Sequence, residues 1–172
     1  ELGVELESFA HGALCICYSG QCFMSSLVGG RSANRGRCAQ ACRLPYELHN
    51  RALRKTLDAP GEHLLSPKDL CTANLIPELL HAGVASLKIE GRMKSAYYVA
   101  TVTNAYRQVL DGSATVSSAR KELDSASHRA FSTGFYYGPM DTTQTASEYL
   151  QDCQFSAVVL GETNGRLLIE QR

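Results

Sequence analysis

Five of the seven cysteines, Cys15, Cys17, Cys22, Cys38 and Cys42, fall between residues 15 and 42, within a stretch from residue 12 to residue 55 that has little helical or strand periodicity. An irregular run of that length is uncommon in a compact domain unless something other than an apolar core orders it, and clustered thiols can do so by holding a metal. Cys71 and Cys153 lie outside the cluster. A secreted disulfide framework normally uses an even set of cysteines in a shorter chain, so the odd number and the crowding point instead to a metal or iron–sulfur site. The close Cys-x-x-Cys pair of a zinc ribbon is missing, and spacing alone does not separate zinc from iron.

The rest of the composition fits an ordinary folded chain. With 172 residues, 44% of them hydrophobic, and 17 basic against 17 acidic side chains, it can bury a core of about one domain. No apolar run approaches the roughly 18 residues needed to cross a bilayer. Glu1-Leu2-Gly3-Val4 opens without a basic or apolar leader, which leads to the expectation of a cytoplasmic protein, and the lack of an initiator Met to that of a piece of a longer one.

Neutral overall charge hides a basic segment. Residues 31–55 hold Arg31, Arg35, Arg37, Arg43, Arg51, Arg54 and Lys55 against Glu47 alone, a net charge of +6. Arginine forks match phosphate oxygens and give sequence-independent affinity for nucleic acid. With Tyr46 as its single aromatic residue, the segment fits a solvated loop better than a single-strand stacking platform.

Regular elements are expected on either side. Residues 1–9 alternate as a short strand ended by a His11-Gly12 turn, and Ser66-Pro67-Lys68-Asp69 has the cap, proline and acid of a helix start. A second short helix follows over Ile76 to Ala82, with Gly83 as its stop. Val84 to Ile89 reads as a strand, and residues 95–111 as a helix closed by Gly112. A short polar helix at about 118–128 precedes an aromatic loop from Phe131 to Gly138. Asn164-Gly165 marks a hairpin between residues 155–160 and 166–171. An isolated hairpin is marginal in water, so the segment from residue 152 reads as the opening of a second β domain.

Four segments together resemble one known family: Glu7 to Arg43 with its His11-Gly12-Ala13-Leu14-Cys15 opening, Ser66-Pro67-Lys68-Asp69-Leu70-Cys71, Leu87-Lys88-Ile89-Glu90-Gly91-Arg92-Met93-Lys94-Ser95, and Phe131 to Gly138. On these residues the chain is identified as a member of the collagenase-like peptidase family U-32, most similar to its tRNA uridine hydroxylase branch. The resemblance implies an α/β fold in which residues 1–115 form the C-terminal part of a (β/α)8 TIM-barrel-like domain with a Cys-rich loop. Residues 116–151 would be a connector, and residues 152–172 the start of a small β-barrel-like domain.

The resemblance also implies a function. It is that of an iron–sulfur hydroxylase forming 5-hydroxyuridine at the tRNA wobble position, with prephenate as co-substrate, and of a homodimer or a heterodimer of related subunits. Carried over by motif, Cys15, Cys22, Cys38 and Cys71 would hold a 4Fe-4S cluster, with Cys42 a substitute for the fourth position. His11 could bind zinc between subunits or be a hydrogen-bonded core histidine. Glu90, Arg92 and Lys94 would lie just past a barrel strand, where barrel active sites are built, and would be either catalytic or a salt-bridged rim. Arg31, Arg35 and Arg43 would contact phosphate or carboxylate. Two other readings compete: a collagenase-like endopeptidase, for which no nucleophile–base pair or HExxH helix is readable, and a zinc-linked dimerisation module.

Overall fold

The first strand runs further than its alternation suggests, because its end is paired on both sides. In the computed structural model, which describes residues 3–59, 61–139, 149–153 and 155–171, β1 spans Leu6–Gly12. His11 faces Cys71 on one flank and Ile89 on the other, so His11-Gly12 completes the strand and is not a turn. The irregular stretch then carries only short pieces: α1 (Met24–Gly29), single 3-10 turns at Ala33–Arg35 and Ala41–Arg43, and a small ribbon of β2 (His49–Asn50) with β3 (Lys55–Thr56).

The expected helix at Ser66-Pro67 is absent. Asp69–Cys71 forms strand β4, followed by a 3-10 turn at Ala73–Leu75. Local capping loses to long-range pairing here. The Ser66 hydroxyl accepts a hydrogen bond from Arg43 Nη1 (2.9 Å), and the Asp69 N–H donates to the Ala130 carbonyl (3.0 Å). The buried Asp69 carboxylate takes the Arg129 N–H (3.0 Å).

From there the sequence pattern and the structure agree closely. Helix α2 spans Ile76–His81, β5 spans Val84–Ile89, and Gly83 between them takes a left-handed φ of 84°. Helix α3 covers Ala96–Leu110, with the Ser95 side chain accepting the Tyr98 N–H as its cap. Helix α4 is Val116–Ser125, similarly capped by Thr115. The aromatic segment contributes a two-residue strand, β6 (Phe131–Ser132), before it turns. The last two strands, β7 (Ala157–Thr163) and β8 (Arg166–Gln171), form the Asn-Gly hairpin, with Asn164 and Gly165 both at positive φ as a type I′ turn requires.

The central sheet has the order β5-β1-β4-β6 and is mixed: β1 and β5 are parallel, β4 is antiparallel to β1, and β6 is parallel to β4. On one face lies the core, where α3 sends in Tyr98, Val102, Ala105 and Tyr106 and α4 adds Ala119 and Leu123 against Ala10 and Cys71. Segment 116–151 thus supplies α4 and β6 to the same core as β1 and α3; residues 140–148 of it lie outside the described residues. Among the described residues, no helix is long and apolar enough to cross a membrane.

Candidate functional site

The thiol loop is held by polar contacts where apolar burial is scarce. Buried Ser25, on α1, takes the Ala39 N–H (3.0 Å) on its hydroxyl, which also lies 3.5 Å from Cys38 Sγ. Cys38 Sγ accepts the Gln40 N–H at 3.3 Å, and Cys15 Sγ lies 3.5 Å from the Cys17 N–H. Backbone N–H groups aimed at sulfur stabilise a thiolate. Asn34 Nδ2 reaches back to the Gly20 carbonyl (2.9 Å), tying the two halves of the loop.

The thiols fall into two groups. Burial pushes the Cys42 thiol above its usual pKa, Arg43 pulls it down, and Cys15, Cys38 and Cys22 each disfavour a second negative charge there. These four sulfurs therefore share one electrostatic neighbourhood. Cys71 stands apart on β4, 5% exposed, with Tyr106 Oη 4.0 Å from its sulfur, and burial raises its pKa also. All seven thiols are free, and Cys153 is exposed near the hairpin. Among the described residues no three or more His, Cys, Asp or Glu side chains are drawn into a finished metal cage. The soft donor set and the N–H···S contacts nonetheless have the chemistry that a thiolate-bound metal, zinc or an iron cluster, needs.

His11 belongs to the core and not to the loop. It is 1% exposed and ringed by Tyr106, Phe131 and Tyr98 at centroid distances of 5.5, 5.2 and 6.1 Å. Its Nδ1 lies 3.4 Å from Tyr106 Oη, while Nε2 has no hydrogen-bond partner among the described residues. Burial, reinforced by His128, Lys94 and Arg120, lowers its pKa to about 3, so the imidazole is neutral.

The expected rim residues point two ways. Glu90 follows β5; its N–H donates to the His11 carbonyl (2.7 Å) and its Oε1 accepts the Arg92 N–H (3.0 Å). The Arg92 guanidinium lies against Gly36, where a Cβ would come within 2.3 Å of Nη2, so it backs the cysteine loop. Lys94 turns inward: its Nζ donates to the Ser127 carbonyl (2.7 Å) and sits over the rings of Tyr98 and Tyr149, and burial lowers its pKa. Of the three arginines expected at phosphate, Arg31 and Arg35 are exposed. Arg43 is directed into its own chain, donating to the Leu14 and Pro67 carbonyls and the Ser66 hydroxyl.

Two features were not signalled by the sequence. Asp69 and Arg129 form a buried pair, with Nη1 3.7 Å from Oδ1, although Asp69 reads locally as a helix-start acid. The Tyr106 hydroxyl links three segments, donating to the Ala10 carbonyl (2.8 Å) and accepting the Thr72 N–H (3.0 Å), and reads in sequence as one more apolar helix position. A groove of about 690 Å³, lined by Cys71, Asn74, Arg120, Lys121, Phe131 and Thr133 among others, opens beside α4.

The chain is thus a mixed α/β protein whose thiols are concentrated in a basic loop. The model of peptidase family U32 matches residues 1–146, and the chain belongs to that family. It is 42% identical over 151 residues to the tRNA hydroxylation protein P1 of Bacillus subtilis, covering 80% of this chain and 35% of that protein. A 23S rRNA 5-hydroxycytidine synthase of Escherichia coli is 52% identical over 106 residues, 62% of this chain and 16% of the synthase. A collagenase of Porphyromonas gingivalis is 37% identical over 142 residues, 78% of this chain and 34% of the collagenase. The chain thus spans about a third or less of the length of these relatives. No solved structure matches.

Proposed function

We propose that the chain is part of an iron–sulfur-dependent RNA hydroxylase that forms 5-hydroxyuridine at the tRNA wobble position, with prephenate as co-substrate. The observation that carries this reading is that Cys15, Cys22, Cys38 and Cys42 lie in one basic loop held by polar contacts, with backbone N–H groups at the sulfurs of Cys15 and Cys38. The hydroxylation names of its relatives support it. Cys15, Cys22 and Cys38 would hold a 4Fe-4S cluster. Cys42, in the same loop, or Cys71, which the motif resemblance gives, would be the fourth ligand. A bound cluster supplies redox-active iron. The chain's own residues orient the thiols through backbone N–H groups, and the exposed Arg31 and Arg35 offer charge to an RNA backbone. The parallel β1–β5 pair, with Glu90, Arg92 and Lys94 just past β5, supports placing this segment in the C-terminal part of a (β/α)8 barrel, whereas β4, antiparallel to β1, departs from the all-parallel barrel pattern.

The test is nucleoside analysis of tRNA from cells lacking the gene. Loss of 5-hydroxyuridine, restored by the intact protein and not by Cys22→Ala, is the expected result. An unchanged 5-hydroxyuridine level contradicts the reading. The collagenase name of one group of relatives supports a second reading as an endopeptidase, which collagen cleavage by a homogeneous preparation would favour.

A further inference from the structure

We infer that Arg43 is a positioning residue, the strap that fixes the spacing of the metal-holding thiols, and not a phosphate contact. This rests on the cluster reading above. Arg43 closes the 3-10 turn Ala41–Arg43, directly after Cys42. Its Nη2 donates to the carbonyl of Leu14 (2.8 Å), the residue before Cys15. Its Nη1 donates to Ser66 Oγ (2.9 Å) and to the Pro67 carbonyl (2.5 Å), on the segment that leads into β4 and Cys71. One guanidinium thus joins the end of the Cys38–Cys42 segment to the residue before Cys15, across 29 residues of chain, and to the segment leading to Cys71, across 23 and 24.

The turn that carries Arg43 is itself pinned. The Ala41 carbonyl accepts the Tyr46 hydroxyl (2.8 Å), and the Arg43 carbonyl lies 3.2 Å from His63 Nδ1. A planar fork with five donors can serve three acceptors in fixed directions; a lysine ammonium on a flexible stem cannot reproduce that fork. The strap serves whichever of Cys42 and Cys71 completes the set, because it grips the chain beside both. Residues that orient metal ligands from outside the ligand set cost about ten- to a hundredfold in affinity when replaced.

The test is to reconstitute the intact protein anaerobically as wild type, Arg43→Met, Arg43→Lys, Arg51→Ala and Leu123→Ala. Iron and sulfide per chain and the rate of iron release to a ferrous chelator are measured beside the thermal midpoint. Release about ten- to a hundredfold faster in R43M, faster also in R43K, and at the wild-type rate in R51A and in the destabilised core variant L123A is the expected result. Wild-type release in R43M, or equal acceleration by L123A, overturns the inference. Wild-type protein that binds no iron removes the cluster reading, and the strap with it. Should R43M fail to fold, Ser66→Ala removes one acceptor and leaves the guanidinium in place. A several-fold faster release is then expected, and unchanged release overturns the strap.

Discussion

Gly12 is held in a conformation and a space that admit no side chain. It adopts φ +120°, a conformation that side-chain-bearing residues avoid, and a Cβ there would lie 2.3 Å from the Glu90 carbonyl oxygen. Backbone cannot yield as a flexible side chain can, so Gly12→Ala should lose about 3 kcal/mol or more, read as a lowered midpoint in urea unfolding; a wild-type midpoint would contradict the packing of β1 on β5. His11, beside it, makes stability depend on pH. Its folded pKa of about 3 lies below the ordinary 6.5. Between those values the unfolded chain binds a proton that the folded chain refuses. The stability is therefore complete above about pH 6.5 and falls as pH drops, by up to about 1.4 kcal/mol per pH unit. His11→Phe, which suits the surrounding rings, should reduce the stability difference between pH 7.5 and 4.5 by on the order of 2–3 kcal/mol. The same difference in both proteins would show that His11 is not held neutral. A histidine in sequence gives no such information, because its environment is assembled from Tyr98, Tyr106 and Phe131, all distant in the chain.

Helices α3 and α4 were legible in the sequence because their rules are local: Ser95 and Thr115 cap them, and the apolar spacing of α3 places Tyr98, Val102 and Tyr106 on its buried side. Removing the cap in Ser95→Ala should cost about 1 kcal/mol. Leu123, fully buried where α4 meets α3, should cost about 2–5 kcal/mol when cut to Ala, with the thermal midpoint as the check. A loss under 1 kcal/mol would mean that α4 is not part of the core. Ser66-Pro67-Lys68-Asp69 misleads by the same local logic: it has every helix-start signal, but Arg43 takes the Ser66 hydroxyl, the Arg129 N–H takes the Asp69 carboxylate, and the Asp69 backbone pairs with Ala130 and Phe131. Helix α1 was missed because it is six residues long, with no side-chain cap and no charge at either end to announce it. In the thiol loop, the sequence showed which cysteines cluster. It could not show that Arg43 is turned inward, since an arginine facing solvent and one gripping three distant acceptors look alike in one dimension.

At the scale of the molecule, a core shared by β1, β4, β5, α3 and α4 carries a loop with few apolar contacts, and the thiols are concentrated there. Such a loop depends on its polar straps and on any metal that it binds, so metal and loop order should be linked. Stripping iron should therefore increase amide exchange in residues 13–43 and leave α3 and α4 protected; uniform exchange across both regions would break that link. The central claim is that the thiols hold iron. Its most direct test is anaerobic purification of the intact protein, with iron, sulfide and zinc counted per chain and the absorption spectrum recorded. About four irons with matching sulfide and a broad band near roughly 400 nm is the predicted result. A colourless protein that holds only zinc, or no metal, would contradict it.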